Sequence, residues 1–202
     1  MRSDPRFAEL IEEFPELTGE NIVLTKELYA HFGLLFFTFA LVEHSLINFA
    51  VFDAVGKGVQ NKSIRSRAEW EQTFDQAYEN AKSKSLGNLI KSVKSIPELE
   101  PEAAEISKMK SNRDYFAHHF FRDEAAYFQD DERGWYLLLR LQDVRRNAEA
   151  LEDRLKPKFD EMHHRYGFTK PSEEQLDAAL LEYENDALKA TSSGTVKFGW
   201  ES

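Results

Sequence analysis

Residues 32–52 read FGLLFFTFALVEHSLINFAVF, and the prediction of the overall architecture rests mainly on this stretch. Its apolar residues recur at intervals of three and four, which is the repeat of a helix with a buried face. The stretch is long enough to cross a bilayer. However, Glu43, His44, Ser45 and Asn48 lie near its middle, and each would be costly in hydrocarbon. We therefore interpret it as a buried helix and expect no membrane association.

The same helical repeat extends over most of the chain, and no segment alternates for long as a strand would. The sequence predicts an all-α fold with four long helices, which cover residues 20–54, 66–82 with a short continuation over 88–93, 101–121 and 135–166. Gly56 and Gly58 are expected to end the first helix, and Pro157 is expected to kink or split the last. Four helices with short connections favour an up-and-down bundle, because each apolar stripe can then be covered by its neighbours.

The end of the chain differs in composition from the rest. Residues 168–202 carry seven acidic side chains against three basic ones. We expect an acidic amphipathic helix over 172–190 and a loose tail over 191–202 that a partner could bind. The sequence thus predicts a helical bundle over residues 1–167 and a separate acidic segment over 168–202.

Length and cysteine content limit the class of protein. At 202 residues, the chain can form one domain with a sizeable core. It has no cysteine, which excludes disulfides, a thiol nucleophile and a cysteine-based zinc site. The absence of cysteine fits a reducing compartment, and the first residues lack the apolar core of a secretory signal. We therefore expect a cytoplasmic protein.

The formal net charge of −10 argues against a general polyanion-binding protein. The charge is unevenly distributed, because residues 56–94 carry eight Lys and Arg side chains against four acidic ones. The simplest interpretation of these charges is that they lie on solvated faces of surface helices.

Residues 110–122 read KSNRDYFAHHFFR and place charged and polar side chains within an apolar helical repeat. At about 100° per residue, Arg113 falls in the middle of an apolar stripe, formed by Met109, Phe116 and Phe120. A guanidinium on such a stripe must be paired or solvated. Glu43 lies on the apolar stripe of the first helix, so we hypothesise that Glu43 and Arg113 approach each other. The alternative is an ion pair with a purely structural role.

His118 lies about 140° around an ideal helix from Arg113, with Asp114 one turn before it on nearly the same side. One straight helix therefore cannot direct Arg113 and His118 at the same atom. Either the helix is distorted, or the two groups meet in a cleft between two copies of the chain, which would give a homodimer a function. His119 is the rival histidine, because it points in a different direction from His118.

Arg113 with His118 five positions later resembles the R-x4-6-H signature of the HEPN superfamily of small helical proteins. Two further segments are similar to this family: residues 40–44, ALVEH, resemble the acidic helix near its site, and residues 86–90, LGNLI, resemble its second helix. Together these segments extend the resemblance over residues 20–167. The resemblance implies a HEPN-like four-helix bundle, a homodimer and a metal-independent endoribonuclease in toxin–antitoxin or defence biology.

The implied reaction is cleavage of RNA by its own 2′-hydroxyl group, for which no metal or cofactor is needed. His118 would transfer protons, and Arg113 would neutralise charge that develops on the phosphate oxygens. Asp114 would orient His118, and Glu43 would complete the site as the partner of Arg113. We expect an RNA substrate, with an antitoxin or regulatory protein as a further partner.

Two positions differ from the family pattern. Asp114 stands where asparagine commonly follows the arginine, and Phe120 stands where toxins of this family usually have a tyrosine. Nucleotide modification of that tyrosine is therefore not expected here. The competing hypothesis is a non-catalytic interaction module, because superfamily members without nuclease activity exist. No metal site is predicted at His163 and His164, because adjacent helical residues point apart.

Overall fold

The computed structural model of the protein describes residues 23–129 and 131–169, together with the single positions 172, 174, 177 and 181. These residues are almost entirely helical and contain no β-strand, so the all-α prediction is confirmed for them. The predicted acidic helix over 172–190 and the tail over 191–202 lie outside the described residues, except for those four single positions.

Six α-helices are present in the described part of the chain. They are α1 (Val23–Gln60), α2 (Arg67–Lys82), α3 (Leu86–Val93), α4 (Ala103–His118), α5 (Phe120–Asp123) and α6 (Asp131–Tyr166). Short 3₁₀ turns span Pro97–Leu99 and Ala125–Gln129. The predicted signature, from Arg113 to His118, therefore lies entirely on α4.

The starts of α2 and α3 follow local capping rules. Ser66 precedes α2, and its hydroxyl accepts a hydrogen bond from the backbone N–H of Glu69 at 3.3 Å. The Glu69 carboxylate accepts in return from the backbone N–H of Ser66 at 3.1 Å, which completes a capping box. Ser85 caps α3 in a similar way through Asn88. Gly87, which precedes the continuation predicted over 88–93, is therefore inside α3.

The prediction that Gly56 and Gly58 end the first helix is wrong, because both lie inside α1. A Cβ atom on Gly56 would lie 2.3 Å from Cγ of Tyr166, and one on Gly58 would lie 2.6 Å from Cδ1 of Ile64. These glycines therefore allow close packing. The helix ends instead through Lys62, whose φ of 62° is the left-handed conformation that commonly follows a helix.

The later helices also differ from prediction at their ends. α4 ends at His118 rather than near residue 121, since His119 leaves the helical conformation with φ −125° and ψ −35°. Pro157 lies inside α6 and does not divide it. Leu155 and Met162, on either side of this proline, are both fully buried. Packing thus holds the two halves of α6 in one helix.

α1 packs most extensively against α6, and the two helices run in the same direction. Near their amino-terminal ends, a Cβ on Gly134 would lie 2.8 Å from Leu24 Cδ2. Further along, the rings of Phe49 and Phe159 are 5.3 Å apart, and Tyr166 closes the contact against Gly56. The centre of the core therefore lies along this pair of long helices.

α4 runs opposite to α1, because Phe39 and Met109 line one cavity while the rings of Phe32 and Phe120 stack at 5.8 Å. α3 in turn runs opposite to α4. Gly87 lies near Lys110, whereas the other end of α3 contacts the start of α4. The segment 88–93, predicted as a short continuation of the second helix, therefore belongs to the separate helix α3, between α2 and α4 in the chain.

By length and composition, α1 is apolar enough to cross a membrane, with a mean hydropathy of 1.7 in its most apolar window. The core helix of a soluble protein satisfies the same criterion. Within the protomer, Leu35, Val42, Leu46 and Phe49 of this helix are fully buried. Length and hydropathy alone therefore do not distinguish a membrane-spanning helix from the core helix of a soluble protein.

The chain divides into two compact units, residues 1–166 and residues 167–202. Gly167, the first residue of the second unit, has a φ of 76°, which glycine adopts without strain. The helices and contacts described here belong to the first unit.

A polar network closes the carboxy-terminal end of the α1–α6 pair. The Tyr166 hydroxyl donates a hydrogen bond of 2.6 Å to Oδ1 of Asp53, whose other oxygen accepts from Lys57 at 2.6 Å. Both Tyr166 and Asp53 are buried. Burial, together with the hydrogen bond to Asp53, raises the pKa of Tyr166 to about 12.

This raised pKa predicts a loss of stability in alkali. The neutral phenol is favoured in the folded state, so its contribution is complete below the ordinary pKa of 10 and is lost as the pH rises towards about 12. The shift corresponds to about 2–3 kcal/mol. We expect urea unfolding curves to show this loss between pH 9 and pH 12. A Tyr166→Phe variant should lose less stability over the same interval, and an equal loss in both proteins would contradict the assignment.

Candidate functional site

α4 is held against the core by one apolar face, which presents the signature at the protein surface. Ile106, Met109 and Phe116 are buried, and Phe120 just beyond the helix end is also buried. Arg113 lies beside this face with its side chain 36% exposed. The guanidinium can therefore be reached by solvent, and by a ligand, without unfolding of the helix.

The charged partners of Arg113 lie on its own helix. Its Nη1 atom is 3.3 Å from Oδ1 of Asp114, and Lys110 binds the other oxygen of the same carboxylate. The hydrogen bond from Lys110 lowers the pKa of the Asp114 carboxyl, and that from Arg113 lowers it further. Asp114 is therefore an anion shared between two cations.

The predicted ion pair between Glu43 and Arg113 is not formed. Glu43 is half-buried on α1, and none of the described residues forms a hydrogen bond or ion pair with it. Two features account for the difference. Arg113 is half-exposed rather than directed into the core, and Asp114 already balances its charge.

Both candidate histidines are exposed at the end of α4. The helix is continuous from Arg113 to His118, so these two side chains remain about 140° apart around its axis. Within the described chain, no hydrogen bond or ion pair joins Arg113 to either imidazole. A distortion does occur, but it begins at His119. It therefore redirects His119 without bringing His118 closer to Arg113.

His119 has a defined environment. Its Nδ1 atom lies 2.6 Å from Nη2 of Arg122, and its ring stacks on Tyr115 with 6.3 Å between ring centroids. A guanidinium has only donors, so Nδ1 must accept the hydrogen bond. In the neutral imidazole the proton then lies on Nε2. His118, in contrast, has only a ring contact with His119 at 6.5 Å among the contacts of the described residues.

A cluster around Glu124 was not predicted from the sequence. This buried carboxylate accepts hydrogen bonds of 2.6 Å from the Tyr115 hydroxyl and from Nη1 of Arg140. The Arg140 guanidinium also lies 4.8 Å from the centroid of the Tyr115 ring. Burial raises the pKa of Tyr115, and the hydrogen bond to Glu124 raises it further.

The four-residue spacing of Tyr115 and His119 is a sequence signal for the ring contact between these two residues, but it does not reveal the cluster around Glu124. No local pattern connects Arg140 with Glu124, because they lie on different elements. The cluster joins three elements: α4, α6 and the turn that follows α5. It therefore positions the end of the signature helix and the two histidines that follow Tyr115.

Charges around the histidine pair are nearly balanced. Four cations lie on or beside this surface against three anions: Lys110, Arg113, Arg122 and Arg140 against Asp114, Asp123 and Glu124. The surface is therefore less acidic than the chain as a whole, which carries a net charge of −10. A phosphate group that approaches it meets arginine side chains and two imidazoles.

Other parts of the described chain have fewer features of a binding or catalytic site. Among the described residues, no group of three or more His, Asp and Glu side chains is placed to hold a metal ion. His163 packs on Phe159 and Phe52, with ring centroids 4.3 Å and 4.8 Å away. A cavity of about 260 Å³ lies between α1 and α6, where Lys156 and Asp160 are its charged lining residues.

Comparisons with protein-family models, with curated proteins and with solved structures found no match for this chain. A function can therefore be proposed only from its own residues and contacts. The structure brings Lys110, Arg113 and Asp114 into one charged group, and Tyr115, His119 and Arg122 into another. It leaves Glu43 outside both groups.

Proposed function

We propose that the protein is a metal-independent endoribonuclease with a HEPN-like helical bundle. The main support is the placement of the signature on α4, with two exposed imidazoles at the helix end and a half-exposed Arg113. A sugar–phosphate link can reach all three groups from solvent. The proposed setting is cytoplasmic, in a toxin–antitoxin or defence system, with an antitoxin or regulatory protein as a further partner.

In the proposed reaction the 2′-oxygen of RNA attacks the adjacent phosphorus, and the bond from phosphorus to the 5′-oxygen breaks. His118 accepts the proton of the attacking hydroxyl group, because neither of its ring nitrogens has a hydrogen-bond partner among the described residues. The protonated His118 then returns the proton to the departing 5′-oxygen. The products are a 2′,3′-cyclic phosphate and a 5′-hydroxyl group.

Arg113 and His119 bind the reacting phosphate in this proposal. Arg113 exchanges its 3.3 Å contact with Asp114 for a phosphate oxygen, whose charge grows as the 2′-oxygen attacks. His119 donates from Nε2 because Arg122 occupies its Nδ1. Asp114, predicted to orient His118, is instead held by Lys110 and Arg113 in the described chain. It therefore competes with the phosphate for Arg113 and remains paired with Lys110 when the substrate binds.

A homodimer is part of the proposal. Because α4 is straight between Arg113 and His118, the two groups of one protomer point in different directions. In a symmetric pair, Arg113 of one protomer and His118 of the other can face the same groove. Two equivalent sites would then lie on either side of the symmetry axis.

A cleavage assay with a single-stranded RNA tests the proposed function. We expect cleavage that 10 mM EDTA leaves unchanged, with products that end in a 2′,3′-cyclic phosphate and a 5′-hydroxyl group. An RNA with one 2′-deoxy nucleotide should resist cleavage at that position, because the attacking group is removed. Cleavage that EDTA abolishes, or cleavage at the 2′-deoxy position, would overturn the mechanism.

A non-catalytic interaction module is the second candidate function. The observation that favours it is the number of large apolar side chains exposed on α1 and α6, among them Phe37 at 62% and Tyr136 at 67%. The pairing of Arg113 with Asp114 also gives this arginine a structural role. A protein that binds a macromolecular partner, but leaves all RNA intact, would support this function over the first.

A further inference from the structure

The outer face of α1 carries an apolar stripe that the described residues leave exposed. Its members recur at intervals of three and four and are all exposed: Ala30, Gly33, Leu34, Phe37, Ala40 and Leu41. The three large ones are 48%, 62% and 40% exposed at Leu34, Phe37 and Leu41. The buried residues Leu35, Val42 and Leu46 lie on the opposite side of the helix. We call the exposed set the α1 stripe.

Gly33 is the least expected member of the α1 stripe. A glycine in the interior of a helix costs about 1 kcal/mol relative to alanine. Among the described residues, a Cβ atom on Gly33 would have no neighbour within 4 Å, whereas one on Gly56 would collide with the Tyr166 ring. The packing of the protomer thus explains Gly56 and does not explain Gly33. Close approach of another helix from outside would explain it.

We infer that the α1 stripe is a homodimer interface, in which α1 packs antiparallel on α1 of a second copy with Phe37 at the two-fold axis. A symmetric interface requires that each contact occur twice, with the partners exchanged. Reversal of the helix about Phe37 places Leu41 opposite Gly33 and Leu34 opposite Ala40. Every large side chain except the central one therefore faces a small one.

This alternation favours a second copy over a lipid surface as the occupant of the α1 stripe. Interdigitation of large and small side chains is what allows two helices to pack closely. A lipid surface gains from apolar area alone, to which Gly33, Ala30 and Ala40 contribute little. At the end of the stripe, the same reversal places His44 opposite Ala30, which extends the pattern by one further pair.

α4 lies on the side of α1 that faces away from the inferred interface. Phe32 and Phe39, which contact Phe120 and line a cavity with Met109, respectively, fall about 140° and 160° from Phe37 around an ideal helix. The inferred interface is therefore a surface separate from the groove proposed between Arg113 and His118.

A single cysteine at the axis tests the interface directly, because the chain has no cysteine of its own. We expect light scattering to give the mass of a dimer for the parent protein. A Phe37→Cys variant should form a disulfide-linked dimer under mild oxidation, since this position faces its own copy. The control is Val59→Cys, an exposed position at the other end of the same helix, which should not cross-link.

A size exchange tests the antiparallel register. Gly33→Leu has open space in the protomer and should fold normally, but its new side chain would meet Leu41 of the second copy. We expect this variant to shift to the mass of a monomer, and the double variant Gly33→Leu with Leu41→Ala to recover the dimer. Unchanged helix content by circular dichroism separates this result from unfolding.

Three results would overturn the inference. The first is a parent protein that is monomeric by light scattering at all accessible concentrations. The second is a Gly33→Leu variant that remains dimeric, or a double variant that remains monomeric. The third is a monomeric parent that binds phosphatidylglycerol-containing vesicles through Phe37, as shown by loss of vesicle binding in Phe37→Asp. This last result would assign the α1 stripe to a membrane. None of these results depends on whether the protein cleaves RNA.

Discussion

Substitution of His118 by alanine is expected to lower the rate of RNA cleavage by about 10²- to 10⁴-fold, because it removes the group that transfers protons. Arg113→Ala should lower it by about 10²- to 10³-fold through loss of charge stabilisation at the phosphate. Both side chains reach solvent, so neither change should unfold the protein. Initial cleavage rates and thermal unfolding curves of the purified variants provide the measurement.

Matched variants make this prediction specific. His164→Ala removes an exposed histidine from α6 and should leave cleavage unchanged. Asp114→Asn should retain or increase the activity, because it frees Arg113 from a competing carboxylate. If His119→Ala is inactive while His118→Ala cuts RNA like the parent protein, the proton transfer belongs to His119. Full activity of both histidine variants would exclude the mechanism.

Substitution of Gly56 by alanine is expected to destabilise the fold by about 2–5 kcal/mol, although alanine is the better helix former. The added Cβ would lie between 2.3 and 2.5 Å from three atoms of the Tyr166 ring. Displacement of this ring separates α1 from α6 and breaks the 2.6 Å hydrogen bond to the buried Asp53. The free energy of unfolding can be measured by urea denaturation.

Gly87→Ala is the matched control for this substitution. Gly87 also lies inside a helix, but the neighbour within reach of an added Cβ is the flexible end of Lys110, 3.2 Å away. We expect this variant to be as stable as the parent or more stable by up to about 1 kcal/mol. Equal stability of the two alanine variants would show that the contact between α1 and α6 is looser than the structure indicates.

The candidate site shows how far residue spacing can predict a structure. Spacing placed Arg113, Asp114 and His118 on one helix, and the structure has them there. It also placed Arg113 in the middle of the apolar stripe, whereas the side chain lies beside the buried face and is 36% exposed. Spacing also suggested that Glu43 would meet Arg113, which is wrong. A helical repeat gives the direction of a side chain relative to its own helix, but it contains no information on the height and rotation of a neighbouring helix.

The Glu124 cluster could not be predicted for the same reason. Its hydrogen bonds join Tyr115 on α4 to a carboxylate beyond α5 and to Arg140 on α6. The break at His119 is likewise invisible in the local sequence, which continues with apolar residues of helical spacing. The break is accompanied by ring contacts of Phe120 with Phe32 and Phe116, which pack the start of α5 against the core.

Local information in the chain was sufficient for the all-α class, for the start of α2 at its Ser66 cap and for the end of α6 at Tyr166. These features depend on interactions within one or two helical turns, which residue spacing reports directly. The parallel packing of α1 on α6, and the use of Gly56 inside a helix, depend on residues far apart in the sequence. Such contacts exist only once the helices have packed, because packing brings the Tyr166 ring to the surface of α1.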